Sequence, residues 1–171
     1  MEQLPENVDT RALLQLVIDE NPGIRYRELL RNTGLANGVL TYHLAALEKS
    51  GQVRADRQSG MTRYYPPRVS DRESSVLKHV RHGPVRDILL FIFENEHCTF
   101  SEIVEYSQKA PSTISSHLKR LREDGVISVR YGDYQLYRVT DGELFSEVMS
   151  KYSPTIVDRM VDNFADTMEE L

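Results

Sequence analysis

At 171 residues the chain is long enough for one ordinary domain or for two small ones with thin cores. Its 40% hydrophobic and 27% charged residues suit a soluble globular protein, and no run approaches the ~18 apolar residues that a membrane span requires. The single cysteine, Cys98, excludes an internal disulfide, and Met1 to Glu6 carries neither the basic region nor the apolar stretch of a secretory signal, so a cytoplasmic protein is expected.

The net charge of −5 argues against a nucleic-acid partner until it is divided by segment. Residues 1–66 carry 8 basic and 8 acidic side chains, residues 67–140 carry 11 and 10, and residues 141–171 carry 2 and 8. The acidity is concentrated at the C-terminal end, which leaves two nearly neutral segments where local basic patches can face phosphates.

Taken in chain order, the pattern states the same unit twice. Thr10 to Glu20 carries Leu13, Leu14, Val17 and Ile18 at helical spacing, which predicts a first helix. A second helix is predicted from Tyr26 to Asn32, a turn at Thr33 to Ala36, and a third helix over 37–50 closed by Gly51. The period then alternates: Val53 to Arg57, a turn at Gln58-Ser59-Gly60, and Met61 to Tyr65 predict a hairpin. Residues 67–84, bounded by prolines, read as a connector with a short helix from Asp71 to Val80. The pattern then restarts with a helix at Val85 to Glu94, a second from Ser101 as N-cap to Ser107, and a third over 111–124 with Pro111 at its first position and Gly125 at its end. Val126 to Tyr131, a Gly132-Asp133 turn and Tyr134 to Val139 predict a second hairpin.

Residues 12–53 align without a gap on residues 86–127, an offset of 74. The identities include Leu16/Leu90, Ile18/Ile92, Asn21/Asn95, Glu28/Glu102, His43/His117, Leu44/Leu118, Leu47/Leu121 and Gly51/Gly125, and a one-residue gap then brings Tyr64 onto Tyr137. The expected fold is mainly α with small β-hairpin wings, an α+β arrangement of two three-helix units. The expected domains are 1–66, the connector 67–84, 85–140, and a C-terminal helical segment 141–171.

The runs Gly38-Val-Leu-Thr-Tyr-His-Leu-Ala-Ala-Leu-Glu-Lys-Ser-Gly51 and Ser112-Thr-Ile-Ser-Ser-His-Leu-Lys-Arg-Leu-Arg-Glu-Asp-Gly125 resemble the recognition helices of ArsR- and MarR-class winged helix-turn-helix regulators. The tandem arrangement is similar to that of archaeal transcriptional regulators with two such domains in one chain. The resemblance covers roughly residues 9 to 140 and implies a regulator that binds double-stranded DNA with these helices in the major groove and the wings on the backbone.

Leu40, Leu44 and Leu47, like Ile114, Leu118 and Leu121, recur at steps of four and three and are assigned to the core. The opposite face holds Asn37, Thr41, Tyr42, Ala45 and Lys49 in the first copy, and Ser112, Thr113, Ser115, Ser116, Lys119 and Arg122, beside Arg120, in the second. Small hydroxyl and amide groups there suit phosphates and base edges. Arg54, Arg57 and Arg63 on the first wing, and Arg130 and Arg138 on the second, are expected to grip the backbone. A solvated helix face has the same composition. Lys119 and Arg120 replace Ala45 and Ala46, so the second copy is expected to supply more of the electrostatic affinity.

His43 and His117 are read as structural or phosphate-contacting rather than metal ligands. His97-Cys98 has no clustered thiolates or imidazoles beside it. No metal or cofactor is expected, and no nucleophile with a base or phosphate loop suggests an enzyme. From Pro154 a stripe of Ile156, Met160, Val161, Phe164, Met168 and Leu171 reads either as a helix folded back on its own chain or as a homodimer interface, with Ile156, Met160, Phe164 and Met168 as contacts. A small-molecule effector is left open. The competing function is a tandem winged-helix module that binds proteins in a chromosome-associated or other complex, favoured by Ala45-Ala46 and opposed by Lys119, Arg120, Arg122 and the wing arginines.

Overall fold

The computed structural model describes residues 9–58 and 60–152, which divide into two compact units between Ser70 and Asp71. In the first unit, α1 (Thr10–Glu20) begins at Asp9, whose carboxylate accepts from the Arg11 amide at 3.0 Å. There follow β1 (Ile24–Arg25), α2 (Tyr26–Thr33), α3 (Asn37–Lys49), β2 (Arg54–Asp56) and β3 (Arg63–Tyr65). The second unit opens with α4 (Asp71–Val80), then repeats the series as α5 (Gly83–Glu94), β4 (Cys98–Thr99), α6 (Phe100–Ser107), α7 (Pro111–Glu123), β5 (Ile127–Arg130) and β6 (Leu136–Val139). Residues 142–152 form a further helix, α8.

Each unit is a winged helix, and the helices lie where the periodicity predicts them. Three features differ. First, each sheet has three strands rather than two, in the orders β1-β3-β2 and β4-β6-β5, all antiparallel. The added strands are two residues long, too short to show alternation. Second, α6 is capped by Thr99 rather than Ser101: the Thr99 hydroxyl accepts from the Glu102 amide at 3.3 Å, and the Glu102 carboxylate accepts from the Thr99 amide at 2.6 Å, a reciprocal box. Third, the second wing pairs only as far as Arg130 with Leu136, so residues 131–135 form a loop wider than the two-residue Gly132-Asp133 turn.

The segment expected to be a connector is largely structured. Its helix is α4, as predicted, and Val76, Leu77 and Val80 are buried within the second unit, where α4 packs on α5. Phe145, Val148 and Tyr152 of α8 are buried in the same unit, with the Phe145 ring 5.1 Å from that of Phe93. The core of the first unit is built from Leu14, Ile18, Ile24, Leu29, Leu40, Leu44, Leu47, Val53 and Tyr64. Its counterpart contains Ile88, Ile92, Cys98, Ile103, Ile114, Leu118, Leu121, Ile127 and Tyr137. Truncating one such Leu or Ile to Ala typically costs ~2–5 kcal/mol, a large share of a small domain's stability.

Left-handed backbone recurs at the same offset of 74. Gly23 and His97 have φ of 82° and 68°, Gly34 and Gln108 have 64° and 54°, and Gly51 and Gly125 have 72° and 71°. The duplicated path demands these turns, but His97 and Gln108 make them with side chains that disfavour them. Gln108→Gly is therefore expected to stabilise the second unit by about 0.5–1 kcal/mol, read as a higher melting temperature. An unchanged or lower value would show that the Gln108 side chain, which donates to the Glu105 carbonyl at 2.6 Å, offsets its backbone cost.

Candidate nucleic-acid interface

One face of α3 is consumed by Leu40, Leu44 and Leu47, and one face of α7 by Ile114, Leu118 and Leu121, all 4% exposed or less. The residues left outside follow directly. Asn37, Thr41, Tyr42 and Lys49 are exposed in the first unit, and Ser112, Thr113, Ser115, Ser116, Lys119, Arg120 and Arg122 in the second. Ala36 and Ala110 stand at the two N-caps, so neither helix start has a side-chain acceptor for its first-turn amides. Such amides suit a phosphate oxygen.

The two faces are organised differently. In the first unit the Thr41 hydroxyl donates to the Asn37 carbonyl at 2.9 Å and lies 2.9 Å from the Tyr26 hydroxyl, which also reaches Asn37 Oδ1. Tyr26, at the start of α2, thus holds two of the predicted contact residues in place, a role that the sequence reading did not assign. At the offset of 74 the three positions become Phe100, Pro111 and Ser115, so the second unit lacks the whole cluster. That joint replacement was readable from the repeat.

The wings depart further from expectation. Arg63 is corrected outright: it is 9% exposed and donates to the Gly23 carbonyl at 2.9 Å, so it faces inward rather than toward a backbone. It sits on the central strand, opposite Arg25 and Asp56, and the one-residue gap that aligns Tyr64 with Tyr137 places it on Leu136, which is partly buried. Arg54 is half-buried, with its guanidinium over the Tyr65 ring at 5.1 Å and donating to the Val69 carbonyl at 3.1 Å. Arg57 is exposed but forms a two-pronged pair with Glu48 of α3 at 2.6 and 2.7 Å. The hydrogen bond from Arg57, followed by its charge, outweighs desolvation and holds the Glu48 carboxyl below its ordinary range.

The second wing points its cations outward. Arg130 and Arg138 are exposed, Arg138 steadied by Nε donating to the Ser128 hydroxyl at 3.1 Å. At the positions of Glu48 and Arg57 stand Arg122 and Tyr131, and Arg122 donates to the Tyr131 hydroxyl at 3.2 Å. Both units therefore tie the last turn of the third helix to the wing. In the first the tie is an ion pair with no net charge; in the second it leaves a cation. Lys119 has only a loose partner, Glu123 at 3.9 Å, between two well-exposed side chains.

The histidines and the cysteine have structural surroundings. Burial comes first in lowering the His117 imidazole below its usual range, followed by the positive surroundings of His82, Arg120 and Lys109; the His82 and His117 rings lie 5.7 Å apart. At the C-cap of α7, burial alone would raise the Asp124 carboxyl, but Lys78 and His79 of α4, at 2.9 and 2.7 Å, together hold it low. Cys98 is buried and its thiol is pushed up to about 11, by desolvation first and then by Glu102, which leaves it protonated and unreactive. Among the described residues no group of three His, Cys, Asp or Glu side chains is placed to hold a metal, and no helix is long and apolar enough to cross a membrane. The C-terminal stripe of Ile156, Met160, Phe164 and Met168 lies outside the described residues.

Residues 8–77 match the family profile described as an N-terminal HTH domain, and residues 84–129 match the one described as bacterial regulatory protein, arsR family. Each of the two winged-helix units is thus matched by its own helix-turn-helix profile. The chain is 29% identical over 131 residues to a protein named uncharacterized HTH-type transcriptional regulator MJ1398, from Methanocaldococcus jannaschii. That alignment takes in 77% of this chain and 28% of the relative, so the chain spans under a third of the relative's length. Among solved structures, the transcriptional repressor BigR from Xylella fastidiosa is similar at a TM-score of 0.41 and 23% identity, over 47% of this chain and 82% of that one. The homodimeric winged helix-turn-helix DNA-binding domain of Mb0332 from Mycobacterium bovis is similar at 0.43 and 19%, over 54% and 84%.

The depressed His117 value has a pH consequence. A histidine that binds its proton less readily when folded contributes full stability above about 6.5 and loses it as pH falls from there through the folded value. The melting temperature of the chain is expected to fall between about pH 7.5 and about 5.5, and His117→Gln to remove part of that fall. An equal slope in both proteins would contradict the assignment.

Proposed function

We propose that the chain is a sequence-specific DNA-binding regulator of transcription that works in the cytoplasm, on the nucleoid, and is not an enzyme. The observation that carries this reading is the exposed side of α7. Four small hydroxyl residues, Ser112, Thr113, Ser115 and Ser116, occupy its first turns, Lys119, Arg120 and Arg122 follow, and the outward cations Arg130 and Arg138 stand on the adjoining wing. Hydroxyls suit close approach to base edges and phosphates, and the cations suit the flanking backbone. Asn37, Thr41, Tyr42 and Lys49 are assigned to the corresponding groove contact of α3.

A homodimer would use four such helices over an extended site of roughly 20–30 base pairs. We assign the pairing to the stripe Ile156, Met160, Phe164 and Met168, whose acidic surroundings keep that segment off DNA. A small-molecule effector is left open, and no cofactor is assigned.

Binding is measured by fluorescence anisotropy against a site selected from random-sequence DNA and against unselected DNA, over a range of salt. Tight, salt-sensitive binding with a preference for the selected site is expected; no binding at low salt would remove the proposal. Lys119→Ala with Arg120→Ala is expected to flatten the log–log salt dependence by about two units, while Glu48→Ala, which releases Arg57, steepens it by about one. An unchanged slope in the first variant would take α7 out of the interface. Phe164→Asp is expected to halve the mass in solution, and a dimer that survives it would refute the pairing surface.

A further inference from the structure

Gly38 is the second residue of α3, in ordinary helical backbone, and a Cβ built there meets nothing within 4 Å. The fold therefore has no packing use for glycine at this position, although glycine is among the least favourable residues for a helix. The repeat places Ser112 at the same point of α7. A residue that weakens its own helix without a packing reason fits a place where something outside the chain comes close to the backbone.

The surroundings of Gly38 indicate what that is. Gly38, Tyr42, Ala45 and Lys49 follow one another at steps of four, three and four along the exposed stripe of α3. Tyr42 is 65% and Val39 42% exposed, and the Tyr42 ring is braced edge-on against His43 at 5.2 Å. The stripe is continuous with the polar contacts assigned to Asn37, Thr41 and Lys49. The wing beside it offers no outward cation comparable to Arg130: Arg63 is buried, Arg54 is turned onto Tyr65 and Arg57 is paired. The first unit thus has an apolar, close-fitting contact surface where the second has a charged one. The apolar group that base pairs display in the major groove is the thymine 5-methyl.

We propose that α3 reads thymine methyl groups by direct apolar contact: Gly38 lets the helix backbone approach the base pairs, and Val39 and Tyr42 pack on the methyls. The second unit supplies most of the charge-dependent affinity, and the first supplies discrimination that salt hardly changes. This rests on the DNA-binding function proposed above and adds to it the chemical feature recognised and the residues that recognise it.

The test uses the full chain and the selected DNA site, with each thymine replaced in turn by deoxyuridine, which lacks only the methyl. At one or more positions the replacement is expected to weaken binding about fourfold, the equivalent of one buried methyl, and the loss should vanish in the Val39→Ala, Tyr42→Ala double variant. Gly38→Ala should raise the melting temperature yet weaken binding about tenfold, with an unchanged salt slope. Uracil neutral at every position, or Gly38→Ala binding as tightly as the parent, would overturn the inference while the DNA-binding function stands. A chain that binds no DNA at low salt fails both, and the apolar stripe would then belong to a protein partner.

Discussion

The burial of one leucine-rich face on each third helix is the constraint from which the rest follows. Leu40, Leu44 and Leu47 fix the rotation of α3 about its axis, and Ile114, Leu118 and Leu121 fix that of α7. Each such side chain contributes roughly 1.5–3 kcal/mol on leaving water, far more than any surface pair on the opposite side. The outer faces are therefore decided by the inner ones. Residues at 38, 42, 45 and 49, and at 112, 116, 119 and 123, share an exposed stripe because residues two positions away, Leu40, Leu44 and Leu47 and Ile114, Leu118 and Leu121, are turned into the core.

On that shared scaffold the two units have diverged at matched positions rather than at random. Tyr26, Asn37 and Thr41 form a hydrogen-bonded cluster that Phe100, Pro111 and Ser115 cannot form. The pair Glu48–Arg57 becomes Arg122–Tyr131, and the cross-strand pair Arg54–Tyr65 becomes Ser128–Arg138. The last two exchanges keep a tie between the same two elements and change the charge left outside. On the first wing the cations are turned inward or neutralised; on the second they face solvent. A net charge of −5 is compatible with a DNA partner on this account, because it is the placement of cations and not their total that makes a phosphate-binding face.

The helices were legible because their apolar period is unambiguous and because two copies report on each other. Gly51 and Gly125 announced the helix ends, and the left-handed backbone is there in both. Strands β1 and β4 were not legible: two residues carry no period, and their pairing with Tyr64 and Tyr137 spans about forty residues. The same long-range pairing makes β3 the central strand and draws Arg63 inward, which reversed its assignment. The Arg57–Glu48 pair was not legible for a related reason, since Glu48 is nine residues away and meets Arg57 only after the chain has turned from helix into wing. The connector kept its predicted helix, but its burial in the second unit depends on Val76, Leu77 and Val80 finding partners that sequence spacing does not name.

The central claim, that both third helices contact DNA with unlike chemistry, is tested most directly by amide chemical shifts of the isotope-labelled full chain titrated with the selected DNA. The account predicts that amides of the exposed positions in residues 37–49 and 111–123 move together at one DNA equivalent per site, with those of Leu40, Leu44, Ile114 and Leu118 moving least. Shifts confined to α7 and its wing would contradict it, as would shifts absent from both helices.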